Sequence, residues 1–334
     1  VSTQEVESGE PVPVSKKTTT LVRLFGWMML GIMLVYIINN FLTFGGGMPG
    51  ANAVFEGTGG ALAWLQVAFY PLLLVVIFLM VTRSTDRSLR EDSNRITDIN
   101  TVFIRCAFWV VLIVGVGDAI VSFLRIENFL PMFVGEDLTR ELGKPEFRGI
   151  YFHMPLMLAG IILGFFTRTL GFTWLALLIV LAELLIVFSR FIFSYEQALM
   201  ADLVRFWYGA LFLFASAFTL LEEGHVRVDV FYAGFTQKTK GFVNAVGSIF
   251  LGLTLCWTIL IVGMSGQFSI INAPIFNFEV TQSSFGMYVK YMMAGFLAVF
   301  AISMMIQFVA YLMDAIADYR GEPGKRIPDA PGAH

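Results

Sequence analysis

The chain has 334 residues, 57% of them hydrophobic and only 14% charged, with a formal net charge of −3. A soluble domain carries about 25% charged residues, so this composition excludes a purely soluble protein, and the slight acidity argues against a nucleic-acid partner. Cys106 and Cys256 both fall in apolar runs and are too few for a disulfide framework or a metal cluster; each is expected to pack as a small apolar residue.

Residues 1–19 form a polar tail that ends in Lys16 and Lys17 and leads into an apolar run over 24–44. The arrangement is signal-like, and Ala51-Asn52-Ala53 even has the small-residue pattern of a cleavage site. The run is longer than an h-region of about 7–15 residues, so it is expected to be retained as a first span. A hydrocarbon core needs about 20 apolar residues per helix. By that measure the chain is an all-α integral membrane protein with about eight spans, over 20–44, 60–82, 101–124, 150–167, 171–192, 199–221, 241–264 and 285–313.

The fourth span is the shortest, contains Pro155, and reaches the fifth through only Arg168-Thr169-Leu170-Gly171, which requires an antiparallel hairpin. A serine- and charge-rich connection occupies 83–100. The loop over 125–149, with Gly135, Gly143 and Pro145, is expected to be irregular with one short amphipathic helix near 136–142. It divides the chain into N-terminal helices (20–149) and a C-terminal helical part (150–319), followed by a tail over 320–334. Trp27, Trp64, Trp109, Trp174, Trp207 and Trp257 lie in or near span ends, as an aromatic belt would place them.

Orientation follows from Lys and Arg. With the N-terminus inside, fifteen of the 22 basic residues fall in inside segments. Four of the remaining seven sit in the mixed-charge loop 125–149. The expectation is therefore N-in and C-in.

Charged side chains at mid-bilayer cost about 2.5–3.5 kcal/mol on insertion scales, which makes them functional candidates. Two are deep: Asp118 in the third span and Glu183 in the fifth. Each reads either as an ion-coupling carboxylate or as a hydrogen-bonding post between helices. Arg190 lies seven residues after Glu183, about 10 Å along the axis, and can snorkel to the interface. Asp202 and Arg205, three apart at the start of the sixth span, are spaced for a local pair.

The histidines are His153, His225 and His334, with the first expected at the outer face and the others inside, so bis-histidine haem is excluded. Gly263-Met264-Ser265-Gly266 mimics an intramembrane serine protease, but that serine has no histidine base in reach. No Walker motif, dinucleotide fingerprint or metal-ligand spacing occurs. The expectation is a chain with no catalytic, cofactor-binding or metal site.

Three motifs remain: Arg190-Phe191-Ile192-Phe193, then Asp202-Leu203-Val204-Arg205-Phe206, then Gly224-His225-Val226-Arg227-Val228-Asp229, with Lys290 and Gln307 further on. In this spacing the chain resembles the small membrane subunits of tripartite ATP-independent periplasmic (TRAP) transporters over residues 173–319. Ser194 stands where those proteins usually carry Asn, Asp202 where Glu is common, and four further spans precede the part that resembles them. The resemblance implies a non-catalytic subunit in a bacterial inner membrane. Its implied partners are the large membrane subunit, a periplasmic substrate-binding protein and the lipid bilayer. It also implies that coupling, generally to sodium, and an organic acid-like solute belong to the large subunit. Arg190, Phe193, Asp202, Arg205, Gly224, His225, Arg227, Asp229 and Lys290 are then candidates for the subunit interface. Two other readings stay open: a self-sufficient carrier or channel built on Asp118 and Glu183, and a membrane assembly or sensor protein.

Overall fold

Inside hydrocarbon every backbone N–H and C=O must be satisfied within the protein, which leaves helices as the economical solution for a chain this apolar. The computed structural model describes residues 16–168, 172–195, 198–222, 231–281 and 286–324, and among them no strand occurs. Helix α1 (Lys16–Asn40) runs on into a π-helical turn at Phe41–Gly45 and is followed by a short α2 (Asn52–Phe55). Helix α3 (Gly60–Arg83) returns, and α4 (Leu89–Ile126) is the longest element at 38 residues. The loop helix α5 (Leu130–Leu142) is interrupted at Gly135, whose φ of 79° only glycine adopts freely.

Helix α6 (Pro145–Phe147), a π turn at Arg148–His153 and α7 (Met154–Phe166) form one continuous rod. Helices α8 (Phe172–Phe193) and α9 (Ala198–Leu221) follow. A second rod joins α10 (Gln237–Gly247), a π turn at Ser248–Leu253 and α11 (Thr254–Gly263). A short α12 (Asn272–Phe276) precedes the last helix, α13 (Lys290–Arg320).

Eight of these helices or rods are long and apolar enough to cross a membrane, so the chain is an all-α, multi-pass membrane protein. The fourth starts at Pro145 rather than near 150, because helix continues through the Gly149 region as a π turn. That turn also answers Pro155, whose missing N–H and bulky ring disturb the preceding helical turn.

Helix α13 is the hub. Of its apolar window 61% is buried, the largest share of the eight. It packs against α1, α4, α9, α10, α11 and α12. Its small and flexible residues, among them Ala301, Met305, Val309, Ala310 and Met313, are buried. Gly321, left-handed at φ 71°, returns its N–H to the carbonyls of Ala317 and Asp318 and ends the helix. The helices of 20–166 do not form a separate body. Helix α4 packs on α9 and α13 as well as on α7, and α1 packs on α13.

Helices α4 and α7 approach unusually closely. A Cβ at Gly160 would lie 2.7 Å from the backbone of Val110, and one at Gly164 would lie 2.6 Å from Cα of Cys106. Gly160-Ile-Ile-Leu-Gly164 is thus a small-xxx-small contact, the means by which helices associate where the hydrophobic effect gives no drive. Trp207 is likewise inside: it is buried against Gly115 and does not belong to an interfacial belt. Cys256 is buried, Cys106 is half-buried, and both thiols are free.

The starts of α1 and α4 and the end of α13 meet at one end of the bundle, termed here the near end. Helix α4 begins with a capping box in which Ser88 and Glu91 satisfy each other's backbone N–H. Asp92 accepts from Arg23 Nε at 2.7 Å and from Trp27 Nε1 at 2.9 Å, while Arg23 also donates to Ser84. Arg90 donates to Asp318 and to the carbonyls of Glu322 and Pro323. Ser93 donates to Asp314, Asn100 bonds Ser303 and Gln307, and Arg320 donates to Thr19.

Valine or leucine at Gly164 should push α4 and α7 apart. Overpacking of this kind costs about 1–3 kcal/mol. Gly164→Val is expected to lower the thermal unfolding midpoint in detergent, while Ile162→Ala, at an exposed position of the same helix, leaves it unchanged.

Candidate functional site

At the opposite, far end a polar cluster lies wholly inside the protein. Asp118, Arg148 and His153 each have 0% side-chain exposure. Asp118 comes from α4, eight residues before its end, and the other two from the π turn that opens the fourth span. Residues five apart in an α-helix point about 140° away from each other. The π turn, closed by the Met154 N–H on the Gly149 carbonyl, brings Arg148 and His153 to one side, and both reach the same carboxylate.

The carboxylate is fully engaged. Oδ1 lies 2.7 Å from Arg148 Nε and 2.8 Å from His153 Nε2. Oδ2 accepts the backbone N–H of Tyr288 at 2.9 Å. Arg148 Nη2 donates to the Asp118 carbonyl and to Ser122 Oγ. His153 Nδ1 meets the Tyr291 hydroxyl at 2.9 Å, and the two rings stack at 5.9 Å. Gly149 leaves the space that the Phe278 ring fills, and Phe278 in turn packs edge-on against Tyr291.

Tyr288 is the second hinge-pin of the cluster. Arg125 and Arg148 both place their guanidinium groups 4.7 Å from the centre of its ring. Its hydroxyl accepts from Arg125 Nη1 and donates to the Gly143 carbonyl. Just upstream, the Met287 N–H donates to Asp202 Oδ2 at 3.0 Å. Asp202 thus ties α9 to the segment before α13, and its other oxygen lies 3.7 Å from Arg205 Nη1, the pair expected from their spacing. The backbone of 287–288 therefore carries two carboxylates, one from α4 and one from α9.

This arrangement differs from the sequence expectation at His153, expected at the outer face and instead fully buried, and at Arg148. Arg148 does not lie in a solvated loop; it is buried within a span, because it is the charge partner Asp118 needs. Asp118, Arg148, His153, Tyr288, Tyr291 and Asp202 converge, whereas Glu183 is exposed on α8 and takes no part. Arg190 and Phe193 are exposed at the end of α8, and Lys290 pairs with Glu279 at the start of α13. Gly224, His225, Arg227 and Asp229 lie outside the described residues.

Chemically the cluster is a buried ion pair whose carboxylate also meets His153 and accepts the Tyr288 N–H. An open crevice of about 880 Å³ does run between α4, α7 and α13. Its lining, including Val102, Cys106, Ile161, Phe165, Met292 and Phe296, is apolar, and its one charged contributor is the acid Asp98. It offers no cation to an organic anion.

Removing one member of a buried pair leaves the other charge uncompensated, at a cost of about 3–5 kcal/mol. Arg148→Met and Asp118→Asn are each expected to lower stability strongly in detergent unfolding. The double variant should lose less than the sum of the two, since the uncompensated charge is gone.

Comparison with known proteins addresses the C-terminal part. The family described as "Tripartite ATP-independent periplasmic transporters, DctQ component" matches residues 176–318. No curated protein and no solved structure matches the chain. The matched region runs from the second turn of α8 to the last turn of α13, so it contains Asp202, Tyr288 and Tyr291 but neither Asp118 nor the π turn that faces it. Residues 176–318 are thus similar to the DctQ component of these transporters, and four apolar spans lie ahead of the matched region.

Proposed function

We propose that this chain is the non-catalytic small membrane subunit of a TRAP-type secondary transporter, a fixed brace for the large membrane subunit in a bacterial inner membrane. The large subunit would carry the solute and the coupling ion, sodium in this reading, and a periplasmic binding protein would deliver an organic acid-like solute to it. The observation that carries the reading is the pairing of the buried carboxylate Asp118. Asp118 and Arg148 neutralise each other and join α4, the fourth span and the approach to α13, leaving this carboxylate no free face for an ion or solute to visit. The near end repeats the principle with Arg23–Asp92 and Arg90–Asp318. A moving transport domain needs packing that has two arrangements; this bundle is bolted at both ends.

The carrier reading, built on Asp118 and Glu183, requires both groups on one path. One is sealed in the far-end cluster and the other faces outward at the middle of α8. In the brace reading the near end faces the cytoplasm, in keeping with the basic residues at 83–105.

Three measurements test this. The tagged full-length chain, purified from native membranes, is expected to bring down one larger multi-pass protein in fixed ratio; repeated isolation of the chain alone defeats the reading. Solute uptake by Asp118→Asn and Glu183→Gln variants should fall only as far as the amount of assembled complex falls, whereas a carrier would lose uptake per complex. For orientation, cysteine at the exposed Thr85 should be shielded from an impermeant external reagent and cysteine at the exposed Glu136 should react.

A further inference from the structure

Glu183 sits at the centre of the span Thr173–Phe193, ten residues from either end. By the helical rise that is about 15 Å from both interfaces. A carboxylate on two methylenes cannot snorkel that far, as a lysine or arginine on a longer stem can. The residue is exposed, and among the described residues no hydrogen bond or ion pair reaches it. Its host helix is the least covered of the eight: 11% of its apolar window is buried, and its principal neighbour is α9. The buried side of α8, marked by Leu175 and Ser189, turns away from Glu183.

The exposed side has a pattern. Ala176, Val180, Glu183, Val187 and Arg190 recur at intervals of four and three, the spacing of a helix–helix seam. Val180 and Val187 flank the carboxylate and are 54% and 46% exposed. Small and β-branched residues allow a second helix to come close, and the acid supplies an acceptor in a medium that has no donors of its own.

We infer that this seam of α8 docks a membrane-spanning helix of the large transporter subunit, and that this helix presents a cationic or amide side chain to Glu183 at mid-bilayer. The inference rests on the transporter-subunit reading and adds to it the contact helix and the chemistry opposite. Charge complementarity selects the occupant. A lipid chain offers no donor at that depth, and its headgroup lies at the interface. A second copy of this chain, paired through the same seam, would set one carboxylate against another. A donor-bearing helix satisfies the carboxylate where it stands.

The test uses the full chain produced together with its large subunit in native membranes. Single cysteines replace Val180, Val187 and, as a buried control, Leu175, and cross-linked peptides are sequenced. Val180→Cys and Val187→Cys should join a spanning segment of the large subunit that carries Lys, Arg, His, Asn or Gln, and Leu175→Cys should join nothing. Glu183→Leu should lower the ratio of complex to free chain by at least about threefold, the low end for a polar contact between membrane helices. Glu183→Gln, which keeps an acceptor, should lose less. Glu183→Leu should not lower the thermal unfolding midpoint of the free chain, because the residue has no partner inside it.

An unchanged ratio in Glu183→Leu, with the large subunit still co-purifying, overturns the inference and leaves the subunit reading intact. Cross-links between two copies of this chain overturn it in favour of a homodimer seam. A wild-type chain that brings down no larger membrane protein defeats the subunit reading itself.

Discussion

A carboxylate with no exposure has to collect its partners from the protein around it, and Asp118 takes three from two places. Arg148 and His153 come from the start of the fourth span, and the Tyr288 N–H comes from the approach to α13. Each of these elements is held where it is by the need to meet the others. The π turn keeps both Arg148 and His153 on one side. Gly149 makes room for Phe278, and Phe278 supports Tyr291, which fixes the far nitrogen of His153. Loss of the carboxylate would leave a buried guanidinium without its counter-charge, in a setting where that imbalance is expensive.

The same need joins two parts of the chain with different family standing. Asp118 and the π turn lie ahead of the region shared with DctQ components, whereas Asp202, Tyr288 and Tyr291 lie within it. The extra helices are therefore attached through polar groups as well as by apolar contact. This matters in a membrane, where lipid competes with protein for every apolar surface and packing alone discriminates weakly between partners. The near end uses the same device, with Arg23 on Asp92 and Arg90 on Asp318 linking α1, α4 and α13. Between the two ends the Gly160 and Gly164 contact adds close packing without polarity.

Much of the helix layout is legible in the residues. Runs of apolar side chains of membrane length mark all eight spans, and the three-residue spacing of Asp202 and Arg205 announces their contact. The cluster itself is not legible. Arg148 and His153 stand five apart, a spacing that an α-helix sends in different directions, and nothing in local composition specifies a π turn there. Arg148 also sits beside Glu146 and Lys144, which gives it the look of a loop residue. One clue was available: Asp118, deep in an apolar run, demanded a cation, and the nearest basic residue flanking a later span start was Arg148. The small-xxx-small motif at 160–164 was equally readable, whereas Trp207 misleads because its position near a span end is also where a core tryptophan can fill the space over Gly115.

Helix α4, at 38 residues, is about 57 Å long, and α13, at 31 residues, is about 46 Å. A hydrocarbon core is about 30 Å thick. Both helices overrun it, and their overhangs are riveted together at the near end by Arg90 and Asp318. Thickness mismatch is usually relieved by tilting one helix against its neighbours; a pair fastened outside the lipid at one end and through Asp118 at the other cannot shear in that way. Changes in bilayer thickness must then be absorbed at the periphery, by shorter spans such as α8. The long central pair keeps a constant depth gauge around which the outer helices, and whatever leans on them, are levelled.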